Sequence, residues 1–176
     1  MARPIPSSAK YQRLITPPTF LEYHGLRFLI FDAPSNNTLP TYIKEMERFN
    51  VSDVVRACDA TYDRKALEAR GIQVHDWPFP DGAPPPSHIV DQWLNLVENR
   101  FGPDGTNPDN RTIAVHCVAG LGRAPILVAI ALIEHGMSPL DSVTFIRSRR
   151  NGVINRKQLQ YVEAYKRRSK GRCNIM

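Results

Sequence analysis

The sequence has no apolar run approaching the roughly 20 residues that a helix needs to cross a bilayer. Its opening stretch, MARPIPSS, lacks the apolar core of a secretory signal, and Ala2 stands where N-myristoylation requires glycine. Cysteine is scarce. The three present, Cys58, Cys117 and Cys173, are odd in number, far apart and without a C-x-x-C pair, which argues against a disulfide framework and a zinc cluster. The five histidines show neither H-x3-H nor H-E-x-x-H spacing, so no metal and no cofactor is expected. Both nucleotide fingerprints, G-x-x-x-x-G-K-S/T and G-x-G-x-x-G, are missing. These absences point to a cytosolic domain with reduced thiols, in which each cysteine must be read on its own.

What is present is an ordinary globular composition. The 176 residues suffice for one α/β domain with a good core and are too few for two. The net charge of +6 is concentrated late. Lys166, Arg167, Arg168, Lys170 and Arg172 crowd the end, preceded by Arg147, Arg149, Arg150, Arg156 and Lys157. That bias suggests an anionic partner. Residues 1–17 read as a loose arm, 18–168 as the folded domain and 169–176 as a basic tail.

Residues 19–23 and 26–31 are β-prone runs joined by a His24-Gly25 turn. A helical period covers 39–49, a buried strand 51–57, a short helix 64–70 stopped by Gly71, and another strand 72–77. Residues 78–86 hold too many prolines for a helix interior or a central strand. Ser87 suits the N-cap of a helix ending near Phe101, and 102–110 reads as a polar loop. A third core strand, 112–116, runs into Cys117, and helices follow at 123–135, 140–149 and 157–167. Strands alternating with helices imply one α/β domain with a central, mainly parallel sheet flanked by helices.

The sharpest feature is Ala114-Val115-His116-Cys117-Val118-Ala119-Gly120-Leu121-Gly122-Arg123. A cysteine ends a strand, five residues intervene and an arginine opens a helix. A turn of that length can aim the N–H groups of Val118, Ala119, Gly120, Leu121 and Gly122 inward as a cup for phosphate. The helix N-terminus adds its positive dipole, and Arg123 adds a planar fork for two phosphoryl oxygens. The same field favours a thiolate, making Cys117 a candidate nucleophile. A buried structural cysteine before a glycine-rich turn is the plainer alternative, but it leaves the joint pattern unexplained.

His116-Cys117-x5-Arg123 resembles the signature loop of the protein tyrosine and dual-specificity phosphatase superfamily. The stretch continued through Ala124-Pro125 is similar to that of the phosphatases of regenerating liver, the type IVA group. The likeness extends to Val55-Arg56-x-Cys58-x-Ala60-Thr61-Tyr62-Asp63 and to Asp76-Trp77-Pro78-Phe79-x-Asp81-Gly82-Ala83-Pro84-Pro85, and so covers about residues 26–165. It implies a tyrosine-phosphatase-like fold and a phosphocysteine intermediate on Cys117. Its substrates would be phosphotyrosine, phosphoserine/threonine or a phosphoinositide. It makes Asp81 the general acid and base, with Asp76 the competing carboxylate. Ala124 stands where the superfamily commonly has Ser or Thr, which implies slow release of the phosphocysteine and leaves room for a second role as a binding module. The resemblance further implies a reversible Cys58–Cys117 disulfide, a magnesium transport mediator of the cyclin M family as partner, and homotrimers.

The final four residues, Cys173-Asn174-Ile175-Met176, fit a C-a-a-X prenylation box. One lipid chain holds weakly, and the adjacent basic run supplies the second signal that anionic membrane needs. The expected location is the cytosolic face of plasma and endosomal membranes, with an unprenylated cytosolic pool. Nucleic acid is not an expected partner, because the basic tail has no interleaved aromatics for stacking.

Overall fold

A computed structural model describes residue 14 and residues 16–168. Five strands form one sheet in the order β1-β2-β5-β3-β4. They are β1 (Thr19–Tyr23), β2 (Leu26–Phe31), β3 (Val51–Arg56), β4 (Gln73–Asp76) and β5 (Thr112–His116). Only the β1–β2 hairpin is antiparallel; β2–β5, β5–β3 and β3–β4 run parallel. The helices are α1 (Leu39–Arg48), α2 (Lys65–Glu68), α3 (Ser87–Phe101), α4 (Arg123–Glu134), α5 (Pro139–Arg147) and α6 (Arg156–Ala164). Among the described residues no helix is long and apolar enough to cross a membrane.

The alternation of β2 divides the core. Phe28 and Ile30 face Trp93, Phe101 and the apolar side of α3 and α4, while Leu29 and Phe31 face Met46, Tyr42 and α1. The central helix α4 is apolar all round, and every residue from Arg123 to Ile133 is buried. Parallel strands covered on both faces bring the carboxyl ends of β2, β3 and β5 to one edge, where Phe31, Arg56 and His116 stand in register.

At the opposite edge the 102–110 loop is a brace. Asn107 Nδ2 donates to Gly25 O at 2.9 Å and to Arg111 O at 2.8 Å, and Asn50 Nδ2 donates to Asn110 O at 2.9 Å. The His24-Gly25 turn has positive φ at both residues (+45° and +83°), as a type I′ hairpin turn demands. A Cβ on Gly25 would fall 1.6 Å from Gly105 O, so the brace packs directly on the turn. Beside it lies the fully buried Asp53. Burial alone would raise its carboxyl, but hydrogen bonds from His75, Arg100 and Ser52 win and hold it at about 2.

Several boundaries shift by one to three residues from the sequence expectation, and two of the differences have a clear cause. Ser87 is the first helical residue of α3 rather than its cap. The cap position falls on Pro86, extended at φ −58° and ψ 151°, with no side-chain cap bond. The extended Pro86 sets the entry, and its carbonyl takes the Ile89 and Val90 N–H groups at 3.0 and 3.1 Å, so the helix starts without a side-chain cap. The last helix stops at Ala164 instead of running to 167. Tyr165 turns extended so that its O–H reaches Glu134 Oε1 at 2.8 Å, and Arg167 Nε donates to Ile133 O at 2.7 Å. Tertiary anchors outweigh helix propensity there.

Candidate active site

Cys117 is the first residue beyond β5, and the chain turns through 118–122 before α4 opens at Arg123. The carbonyls of this turn are held from outside. Ala33 N–H donates to Val118 O at 2.9 Å and Ile154 N–H to Leu121 O at 2.8 Å. Arg150 donates through Nη2 to Ala119 O at 3.4 Å and through Nε to Gly120 O at 2.8 Å. In a trans peptide the following N–H points away from the carbonyl. The N–H groups of Ala119, Gly120, Leu121 and Gly122 therefore face the concave side. None of them has a hydrogen-bond partner among the described residues. With the N-terminus of α4 behind them, they can cradle a tetrahedral oxyanion.

Gly120 is required by this arrangement. Its φ is +67°, and a Cβ would lie 2.6 Å from Phe31 O and 2.7 Å from Arg150 Nη2. The rim carries two apolar side chains, Val118 at 59% and Leu121 at 38% exposure.

Arg123 and Cys117 are both buried at this turn. Arg123 Nη1 donates to Phe79 O at 3.1 Å and to Ala57 O at 3.5 Å, which fixes the guanidinium plane. Its Nε is buried with no hydrogen-bond partner among the described residues. A buried donor left unmet is costly, and a phosphoryl oxygen in the cup is a natural acceptor for it.

His116 lies beneath the turn, fully buried. Burial pulls its imidazole down to about 4, against the Cys117 carbonyl bond, so the ring is neutral at pH 7. Tyr62 O–H donates to Nε2 at 2.8 Å, which leaves the proton on Nδ1 to donate to Cys117 O at 3.3 Å. Burial keeps the Tyr62 phenol above its ordinary range and therefore a donor. The pair pins the backbone of Cys117.

The two candidate acids separate cleanly. Asp81 is exposed, at the corner of a turn closed by Ala83 N–H to Pro80 O at 3.1 Å. Its carboxylate stands 3.7 Å from Arg123 Nε. Asp76 instead accepts two bonds from the buried Arg56 and one from Arg64. The Arg56 hydrogen bond, outweighing burial, holds its carboxyl below the usual range. A carboxylate so held is a poor proton donor, and Asp76 serves the sheet edge.

Cys58 is the second residue beyond β3 and Cys117 the first beyond β5, and the register pairs Arg56 with His116, so the two cysteines share one sheet edge one position apart. Both are free and buried, Cys58 Sγ lies 4.0 Å from His116 Nδ1, and burial pushes the Cys58 thiol up. Cys173, Lys170 and Arg172 lie outside the described residues. Of the basic run before them, Arg167 holds Ile133 O, and Arg168 Nη1 donates to Asp91 Oδ1 at 2.8 Å. Among the described residues no His, Cys, Asp or Glu group is arranged to hold a metal.

Two contributors to the site escape sequence reasoning: Arg150 and the Tyr62–His116 pairing. Arg150 counts in the sequence only as one of many basic residues. Nothing local separates it from the exposed Arg149.

A strand-end cysteine, an N–H cup and an arginine opening a buried helix have the layout of the cysteine-loop phosphatases. A protein-tyrosine phosphatase family model matches residues 36–167. Over 163 residues the chain is 52% identical to a probable protein tyrosine phosphatase type IVA A of Dictyostelium discoideum, covering 93% of this chain and 96% of that protein. It is 52% identical over 149 residues to protein tyrosine phosphatase type IVA 2 of Mus musculus, covering 85% and 87% respectively. The solved structure of a protein tyrosine phosphatase from Leishmania major is 45% identical and superimposes with a TM-score of 0.78, over 86% of this chain and 100% of that one. The chain is thus an enzyme of the protein-tyrosine phosphatase family and belongs within it to the type IVA group, the phosphatases of regenerating liver.

Proposed function

We propose that this phosphatase hydrolyses phosphomonoesters through a phosphocysteine on Cys117. The observation that carries the reading is the run of unpartnered, inward N–H groups after Cys117, together with the buried and unmet Nε of Arg123 where the turn ends. The Cys117 thiolate attacks phosphorus, the bond to the leaving oxygen breaks, and that oxygen takes a proton from the Asp81 carboxyl. Water then attacks the phosphocysteine, gives its proton to the Asp81 carboxylate, and the thiolate leaves. The cup and Arg123 stabilise the charge on the transferring group throughout. The substrate class is phosphotyrosine, phosphoserine/threonine or a phosphoinositide.

Asp81→Asn tests the acid. In kcat/KM, which reports phosphorylation of Cys117 and not its later release, it should slow phenyl phosphate by roughly 10²-fold and barely slow p-nitrophenyl phosphate, whose leaving group needs no proton. An equal loss with both esters would remove Asp81 from the mechanism.

A second reading rests on Ala124, fully buried in the first turn of α4 and without a hydroxyl to help the thiolate leave. With turnover slow, the same cup suits a clamp on an acidic group of a membrane partner, such as a magnesium transport mediator, or a role in a homotrimer. The C-a-a-X box supports prenylation at Cys173 and residence on the cytosolic face of anionic membranes. Arg168 is paired with Asp91, while Arg167 bonds a neutral carbonyl and keeps its charge, so lipid and basic run act together in that tether. Cys173→Ser should move the protein from the membrane pellet to the soluble fraction of fractionated cells, and retention in the pellet would contradict the anchor.

A further inference from the structure

Arg150 is an arginine of the basic C-terminal third, yet it is only 5% exposed and sits behind the 118–122 turn. Its guanidinium makes four contacts. Nε donates to Gly120 O at 2.8 Å, Nη2 to Ala119 O at 3.4 Å, and Nη1 to Thr19 Oγ1 at 3.1 Å and to Pro17 O at 3.4 Å. All four acceptors are neutral oxygens. A buried cation normally takes a carboxylate in contact, because leaving water costs several kcal/mol on an order-of-magnitude basis. Here burial lowers the guanidinium's proton affinity, while the charges of Asp32 and Cys117, acting at longer range, favour the cation. So placed, the positive charge faces the turn from behind.

The consequence is geometric. Each carbonyl Arg150 holds belongs to a peptide plane whose N–H lies on the opposite side. Holding Ala119 O outward turns the Gly120 N–H into the cup, and holding Gly120 O outward does the same for Leu121. Half of the four inward donors thus depend on one side chain, which the α5–α6 connection supplies from about thirty residues along the chain. The same contact leaves no room for a Cβ at position 120.

We infer that Arg150 is a positioning residue for phosphate capture: it aims the Gly120 and Leu121 amides and places its charge behind the bound oxyanion. The inference rests on reading the 118–122 turn as the phosphate site. It predicts that oxyanion affinity and rate fall together when Arg150 changes, in molecules that remain folded.

The test compares the wild type, Arg150→Lys and Arg150→Met. Orthovanadate affinity is measured as protection of Cys117 from iodoacetamide, alongside kcat and KM on an aryl phosphate and the thermal midpoint. Folded Arg150→Met should lose roughly 10²-fold in vanadate affinity and in kcat. Arg150→Lys, which keeps charge but not the two-carbonyl fork, should fall between that variant and the wild type. A purely structural Arg150 would lower the thermal midpoint and leave vanadate affinity per folded molecule unchanged, and that result overturns the inference. Should neither variant fold, nitrogen NMR of the wild type decides. The Arg150 Nε–H should exchange slowly and shift when vanadate binds, and a rapidly exchanging, unresponsive resonance overturns the inference. Failure of vanadate to protect Cys117 in the wild type would instead reject the phosphate site itself, so the two failures are distinguishable.

Discussion

Cys117→Ser is expected to lower kcat on an aryl phosphate by about 10⁴-fold or more while leaving the fold intact. The magnitude follows from chemistry. A serine hydroxyl in the same cup is not ionised at neutral pH, and no other group stands ready to take its proton. His116, the nearest imidazole in sequence, already gives its Nδ1 proton to Cys117 O and accepts from Tyr62 at Nε2. Asp81 is exposed and paired with Arg123. Serine is close to cysteine in size, so the buried site repacks little. The variant should therefore still bind phosphate through the 119–122 amides, and calorimetry with inorganic phosphate beside the rate assay checks both halves. Undiminished activity would remove Cys117 from the chemistry.

Arg123→Met should produce the second largest loss, roughly 10² to 10³-fold in kcat together with a raised KM. Arg123 Nη1 holds the carbonyls of Phe79 and Ala57 while its buried Nε has no hydrogen-bond partner among the described residues, so the guanidinium ties the acid loop to the end of the 118–122 turn. Methionine fills much of the volume but offers no donor. Two carbonyls and the incoming oxyanion then lose their partner. Arg123→Lys should recover little, because a single ammonium cannot reproduce the fork. Steady-state kinetics distinguish the alternatives. A rise in KM with kcat unchanged would mean that Arg123 binds substrate and transition state alike.

How much of this was legible in the sequence depends on distance along the chain. The cysteine, the five-residue turn and the arginine are contiguous, so their geometry follows from local rules: a strand end, room for inward amides and a helix start. The alternation of strands and helices likewise implied the parallel sheet that is observed. Features set by tertiary contact were not readable. Arg150 looks like its exposed neighbour Arg149, and only the fold shows that one is buried and the other lies over Phe145. Asp76 and Asp81 are both aspartates near a proline-rich loop. The pairing of Asp76 with Arg56, register partners on adjacent strands, assigns it to the sheet edge. The α6 helix ends early because Tyr165 and Arg167 are drawn to Glu134 and Ile133, residues some thirty positions away. The 102–110 loop read only as polar, since its function as a brace depends on Asn107 reaching Gly25.

The central claim is a covalent phosphate on Cys117, and acid quenching measures it most directly. The wild-type chain is mixed with a ³²P-labelled aryl phosphate, quenched in acid within milliseconds to minutes, digested and mapped. Because Ala124 offers no hydroxyl to speed release, label should accumulate toward one phosphate per chain, on the peptide carrying Cys117. It should be absent from Cys117→Ser. Label on another residue, or hydrolysis with no labelled peptide at any quench time, would contradict the account.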